Sequence, residues 1–269
     1  LLKFNRNDGV NYLRIVGLSK PSAWQEEING VIQTTNLTLN LNDSSDFVDG
    51  EIYTVDFDEM SSAHVTIVRG KMSKIIIGNK IKNLYMNCFS SYYNLLEVDI
   101  NSNQLFVDTQ QPSSGYPDYG KSGMGVNSFS NCPKLHTIKL PQNLTIFAGN
   151  TGNNSLGNDS KGLFQNCTTL AEWNDTTQRG IDLSKITQIA EYTFKNTGFV
   201  ELYLPNTTTI KEYAFAGCQN LVKIHLPNVN TLHKTAFNDC PNLETIIIPL
   251  ISISNWPDFT GCTKLQIQK

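Results

Sequence analysis

Ala214-Phe215-Ala216-Gly217-Cys218-Gln219-Asn220-Leu221-Val222-Lys223-Ile224-His225-Leu226-Pro227 decides the fold, because the chain repeats it. Phe237-Asn238-Asp239-Cys240 comes 22 residues after Phe215 and leads to Leu243, Ile246, Ile248 and Pro249. Phe259-Thr260-Gly261-Cys262 comes 22 residues after that. A short fixed period describes a stack of small units rather than a globule. Within a unit, Ile224-His225-Leu226 alternates in, out, in, as a short strand does. Pro227 cannot donate to a ladder and so ends that strand. Thr208-Thr209-Ile210 reads as a second short strand on the opposite side, and Phe and Cys sit on a tight turn. No unit buries its apolar side alone. Stacking turns the Phe, Cys, Leu and Ile positions into internal columns.

The pattern continues toward the N-terminus. Phe194-Lys195-Asn196-Thr197 has Thr in the Cys place, and Phe164-Gln165-Asn166-Cys167 leads to Leu170 and Trp173. Phe129-Ser130-Asn131-Cys132 leads to Ile138, Leu140 and Pro141, and Phe89-Ser90-Ser91-Tyr92 leads to Leu95, Val98 and Ile100. Met72, Ile75 and Ile77 fit a degenerate copy. The spacings from Phe89 to Phe194 exceed one period and place insertions at 101–128, 142–163 and 174–181. The first two are dense in Gly, Pro, Asn and Ser, as in Gln111-Pro112-Ser113-Ser114-Gly115, which marks loops. The expected architecture is a β-rich solenoid over 65–269, with short strands, turns and short helical segments. Residues 1–64 fit the repeat poorly and read as an N-terminal cap or a small β-rich region. There a capping box from Ser22 to Gln25 predicts a short helix around 23–28, with strands at 37–41, 52–57 and 65–68.

With 269 residues, a net charge of −3 and no basic run, the chain lacks the electrostatics of a nucleic-acid binder. No apolar stretch approaches the ~20 residues of a membrane span. Five of the six cysteines, Cys132, Cys167, Cys218, Cys240 and Cys262, share one slot of the repeat. Buried free thiols in a column account for them better than disulfides, and no Cys-x-x-Cys pair suggests zinc. Cys88 stands out of register beside Phe89.

The motif Ala214-Phe215-x-x-Cys218-x-x-Leu221-x-x-Ile224-x-Leu226-Pro227 resembles the BspA-type leucine-rich repeat, found in surface and secreted proteins of anaerobic gut and oral bacteria and in some parasitic protists. The resemblance covers about residues 70–269. It implies a right-handed, slightly curved leucine-rich superhelix, export to the bacterial surface (lipid-anchored) or secretion, and adhesion or protein binding. It carries over no catalytic or ligand-binding residue.

The residues agree that recognition is the better reading. There is no Gly-x-Ser-x-Gly, phosphate loop or His-Glu-x-x-His, and no motif asks for a cofactor. His64, His136, His225 and His233 stand outside any recognised motif and read as solvated surface histidines. Asp43-Ser44-Ser45-Asp46-Phe47-Val48-Asp49-Gly50-Glu51 is rich in oxygens but lacks calcium-loop spacing, so it reads as a solvated turn. Stacking the units aligns an outward column of Ile76, Asp99, Lys139, Asp182, Tyr203, His225 and Ile247, beside Lys74, Glu97, Thr137, Gly180, Glu201, Lys223 and Thr245. This strand face is the candidate surface for a protein partner, such as a host extracellular-matrix or another surface protein. Tyr116, Asp118, Tyr119 and Trp173, on or beside the insertions, form a second candidate patch. Their mixture of rings and acids suits protein or glycan. The expectation is a non-enzymatic, adhesin-like binding solenoid. The alternatives are a carbohydrate-binding surface protein using the inserted loops and an enzyme with an unrecognised site.

Overall fold

The computed structural model describes residues 2–5, 11–14, 24–25, 27–28, 31–32, 37–41, 53–56, 70, 72–79, 81–84, 88–101, 123–124, 127–142, 144–145, 147, 162–248 and 257–265. They form a solenoid of short parallel strands. On the front, Leu37–Leu41, Met72–Ile77, Glu97–Ile100, Thr137–Lys139 and Gly180–Ile181 pair in that order. The front resumes with Glu201–Tyr203, Lys223–His225 and Thr245–Ile247. The back carries Tyr53–Asp56, Ile81–Leu84 and Gly123–Met124, then Gln188–Ile189, Thr209–Ile210 and Thr231–Leu232. The register is in step with the period: Leu202 faces Ile224, which faces Ile246.

The Phe-x-x-Cys segments are the tight turns expected from the sequence. The short helical segments expected beside them are all but absent among the described residues, and the turns' hydrogen bonds give the reason. In the turns from Phe89 to Phe215 the N–H of Phe and the N–H of the residue two places on donate to carbonyls of the next unit. Phe194 donates to Ala214 and Asn196 to Ala216; Phe215 donates to Ala236 and Gly217 to Asn238. Donors spent along the stack cannot close a helix. The residue just before the Cys slot is left-handed in seven units: Ser91, Asn131, Asn166, Asn196, Gly217, Asp239 and Gly261. Gly, Asn, Asp and Ser are the residues that this slot admits. Asn166 donates its side-chain amide to Asn131 Oδ1 at 2.7 Å, and Asn196 donates to Asn166 Oδ1 at 2.7 Å, so the slot also builds an amide ladder.

Inside, Phe89, Phe129, Phe164, Phe194, Phe215 and Phe237 form one continuous ring stack, with successive centroids 5.4–5.8 Å apart. The six cysteines are free thiols, five buried and Cys262 half-buried. Those in the repeat slot donate to the Phe carbonyl one unit back: Cys132 to Phe89 at 3.3 Å, Cys167 to Phe129 at 3.1 Å, Cys240 to Phe215 at 3.3 Å. Thr197 replaces a thiol with a hydroxyl and donates to Phe194 O at 2.7 Å within its own unit. The column is therefore a line of buried donors meeting backbone acceptors as well as a hydrophobic one. Hydrogen bonding with the Cys218 and Cys262 thiols, reinforced by burial, pushes the Cys240 thiol well up, away from ionisation.

Two sequence expectations change, at 23–28 and at the third insertion. The helix around 23–28 is replaced by strands Trp24–Gln25 and Glu27–Ile28, the former antiparallel to Leu37–Leu41. Pairing with a sheet edge outweighs a local cap. Residues 37–41 and 53–56 form strands where the sequence reading of the N-terminal region expected them, and they stack directly on the front and back ladders; Leu39 and Leu41 are fully buried. The third insertion is shorter than 174–181. Its hairpin closes at an Asn174–Arg179 bridge, and Gly180–Ile181 belong to the front ladder against Thr137–Ile138. Residues 65–68 lie outside the described residues.

Candidate recognition face

Outward side chains of the front strands line up as the repeat requires. Ile76, Asp99 and Lys139 pair in register, as do Tyr203, His225 and Ile247. Tyr203 and Ile247 are 53% and 43% exposed. The rings of Tyr203 and His225 pack at 5.1 Å. Asp182 is exposed, and its Oδ1 accepts the Ser184 N–H at 2.8 Å. In the neighbouring column Lys74 pairs with Glu97 at 3.0 Å. Two of that column's expected outward residues are buried. Thr137 is covered, its hydroxyl 2.8 Å from His136 Nδ1. Gly180 has the Glu172 backbone where a Cβ would stand, and its φ of +114° is open to glycine alone.

The crowding at Gly180 marks an irregularity that the period does not announce. The Ala171–Trp173 segment lies beside Ile181: Ile181 N–H donates to Ala171 O at 3.0 Å and Trp173 N–H to Ile181 O at 3.2 Å. Trp173 thus pairs alongside the strand whose place it was expected to fill. On the segment's other side no strand pairing links it to Glu201–Tyr203. The Glu172 side chain meets that edge, its Oε1 accepting the Tyr203 N–H at 2.6 Å. Burial raises the Glu172 carboxyl above its usual range; the Tyr203 N–H pulls it back and the Glu201 carboxylate adds to the rise. Sequence reasoning missed Glu172. Its one signal is that Ile181-Asp182-Leu183, not Trp173, resumes the Ile-x-Leu pattern after the insertion.

A hollow lies on either side of this segment. The first, about 310 Å³, is lined by Glu172, Glu201, Leu202, Tyr203, Lys223 and His225. The second, about 380 Å³, brings Trp173 from the expected loop patch together with Lys139 and Asp182 from the expected strand face, over Leu140, Pro141 and Leu144. Trp173 is tethered by its indole N–H to Asp175 Oδ1 at 2.9 Å. Burial, then the Arg179 guanidinium, hold the nearby His136 below the usual imidazole range, against the pull of Glu97. Tyr116, Asp118 and Tyr119, and the acidic run 43–51, lie outside the described residues. Among the described residues, no group of three or more His, Cys, Asp or Glu is placed to hold a metal ion. No helix among them is long and apolar enough to cross a membrane. The face presents aromatic rings, charged side chains and an accessible sheet.

Residues 68–111, 120–172 and 187–268, well over half of the chain, match the BspA type leucine-rich repeat region in six copies. No curated protein matches. Among solved structures, a leucine-rich repeat protein from Bacteroides ovatus is 12% identical, over 92% of this chain and 80% of its own, with a TM-score of 0.35. A leucine-rich cell surface protein from Faecalibacterium prausnitzii is 15% identical, over 98% of this chain and 91% of its own, with a TM-score of 0.25.

Proposed function

Since the chain belongs to the BspA-type leucine-rich repeat family, whose solenoids are generally scaffolds for protein interaction rather than enzymes, we propose that it is an exported or cell-surface binding protein whose front strand face engages a protein partner. One observation carries the reading. Tyr203, His225 and Ile247 stand in register on adjacent parallel strands, with the Tyr and Ile side chains about half exposed. A rigid sheet that holds aromatic and aliphatic side chains in the open has already met the ordering cost of binding them.

Binding of the purified chain to arrays of extracellular-matrix proteins and of glycans tests this, beside a Tyr203→Ala/Ile247→Ala variant. Neither side chain is buried, so the variant folds. A protein hit that weakens about tenfold or more in the variant, at unchanged melting temperature, is the expected result. Hits confined to glycans, or protein hits indifferent to the variant, would move recognition off this face and toward the inserted loops.

A further inference from the structure

The two hollows flank one extended segment, and its consecutive residues Glu172 and Trp173 line one each. Neighbours in extended chain face opposite ways, so a single irregularity builds both. The first hollow holds two carboxylates, Glu172 and Glu201, against the ring of Tyr203. Lys223 sits in register with Glu201, yet among the described residues it closes no ion pair. Glu172 spends one oxygen on the Tyr203 N–H. The second hollow has the opposite sign at its rim. Among the described residues Lys139 and Lys185 form no ion pair, and they outnumber the one carboxylate there, Asp182, whose Oδ1 accepts the Ser184 N–H. Its floor is apolar, and the Trp173 indole is held in place by Asp175. Each hollow therefore sets an aromatic anchor beside an excess of one charge, two carboxylates against Lys223 in the first and two lysines against Asp182 in the second, and the two excesses differ in sign.

We propose that these hollows form one docking surface for a protein segment carrying a basic side chain and an acidic one. The Lys or Arg enters between Glu172, Glu201 and Tyr203, and the Asp or Glu meets Lys139 and Lys185 over Trp173. The inference rests on the protein-binding reading above and specifies the chemistry of the partner. A segment of one sign gains at one hollow and is repelled at the other; a bipolar segment gains at both and docks in one direction only. Cation over aromatic at Tyr203 adds to the first contact.

Selection from a displayed library of random short peptides tests the proposal, using the whole chain and two variants. Glu172→Gln/Glu201→Gln keeps the acceptor for the Tyr203 N–H, and Lys139→Gln/Lys185→Gln changes two exposed side chains. Peptides enriched on the native chain should carry both a Lys or Arg and an Asp or Glu. Binding should fall about tenfold or more on either variant. Reselection on the carboxylate variant should drop the basic residue, and on the lysine variant the acidic one. Peptides of a single sign, or peptides indifferent to both variants, would overturn the inference. If Tyr203→Ala still abolishes those peptides, binding to the strand face stands without it. A library that enriches nothing also overturns the inference, while the broader reading is decided separately by the protein array.

Discussion

At the scale of the residue, the slot before each cysteine shows how backbone geometry selects side chains. The left-handed turn admits Ser, Asn, Asp or Gly, and every unit from Ser91 to Gly261 uses one of these. That selection is legible in the sequence once the slot is known. Gly217 follows Asn196 in the amide ladder, and a Cβ on it would fall on Asn196 Oδ1. Gly217→Ala should therefore cost about 1–2 kcal/mol, combining the left-handed penalty with displacement of the Asn196 amide. Gly217→Asn should cost less. Its Cβ displaces the Asn196 amide as that of Ala does, but Asn tolerates this conformation and can renew the ladder with the turned Asn196 amide, as Asn196 does with Asn166. Thermal melting of the two variants checks the order; an Ala variant as stable as the Asn variant would remove the ladder from the account. The cysteine slot is less legible. Its residues read as small hydrophobes, whereas Thr197 shows that the position also values a donor.

At the scale of the element, the telling feature is the interruption between Gly180–Ile181 and Glu201–Tyr203. A carboxylate stands in for the missing strand pairing there, through one hydrogen bond to Tyr203 N–H. Glu172→Ala removes that acceptor and should cost about 1 kcal/mol, since water can reach this edge in part. Glu172→Gln keeps the acceptor and removes the charge. The carboxyl is raised in the folded chain, chiefly by burial, so ionisation works against folding. Its contribution to stability is complete below the ordinary carboxylate range and is lost as pH rises through the raised value. Glu172→Gln should therefore be at least as stable as the native chain at neutral pH, with the gap closing as pH falls below that range. Denaturant melts at several pH values decide it, and a Gln variant that is less stable at neutral pH alone would reverse the sign. Sequence reasoning located extra residues near 174 but placed their end at 181, because counting a period gives the length of an insertion and not its closure. Gly180 was the available clue: its φ serves the close approach of the Glu172 backbone.

At the scale of the whole molecule, the period fixes which residues meet, since each unit touches its neighbours and little else. That is why the Phe column and the outward columns were readable over the later units, where spacing is regular. Residues 37–41 and 53–56 were readable as strands but not as members of the ladders, since one front and one back strand can join a stack by pairing without any Phe-x-x-Cys turn to announce them. The same one-dimensional logic predicts how the molecule unfolds. Phe194 stacks on Phe164 and Phe215 and meets Phe147 and Phe199 edge-on, so it joins the units before the interruption to those after it. Phe237 stacks on Phe215 at the far end of the described spine. Phe194→Ala and Phe237→Ala each remove a fully buried ring and should each cost about 3–5 kcal/mol where they act. Their reach should differ. Front-ladder pairing is already absent between Gly180–Ile181 and Glu201–Tyr203, so losing the Phe194 ring there should uncouple two blocks and split one calorimetric transition into two. Phe237→Ala should leave a single main transition and lower amide-exchange protection in the units around residues 223–247, with the strands at 72–77 and 97–100 unchanged. Equal loss of protection along the chain in both variants would mean that the solenoid melts as one cooperative body, and that the interruption is no seam.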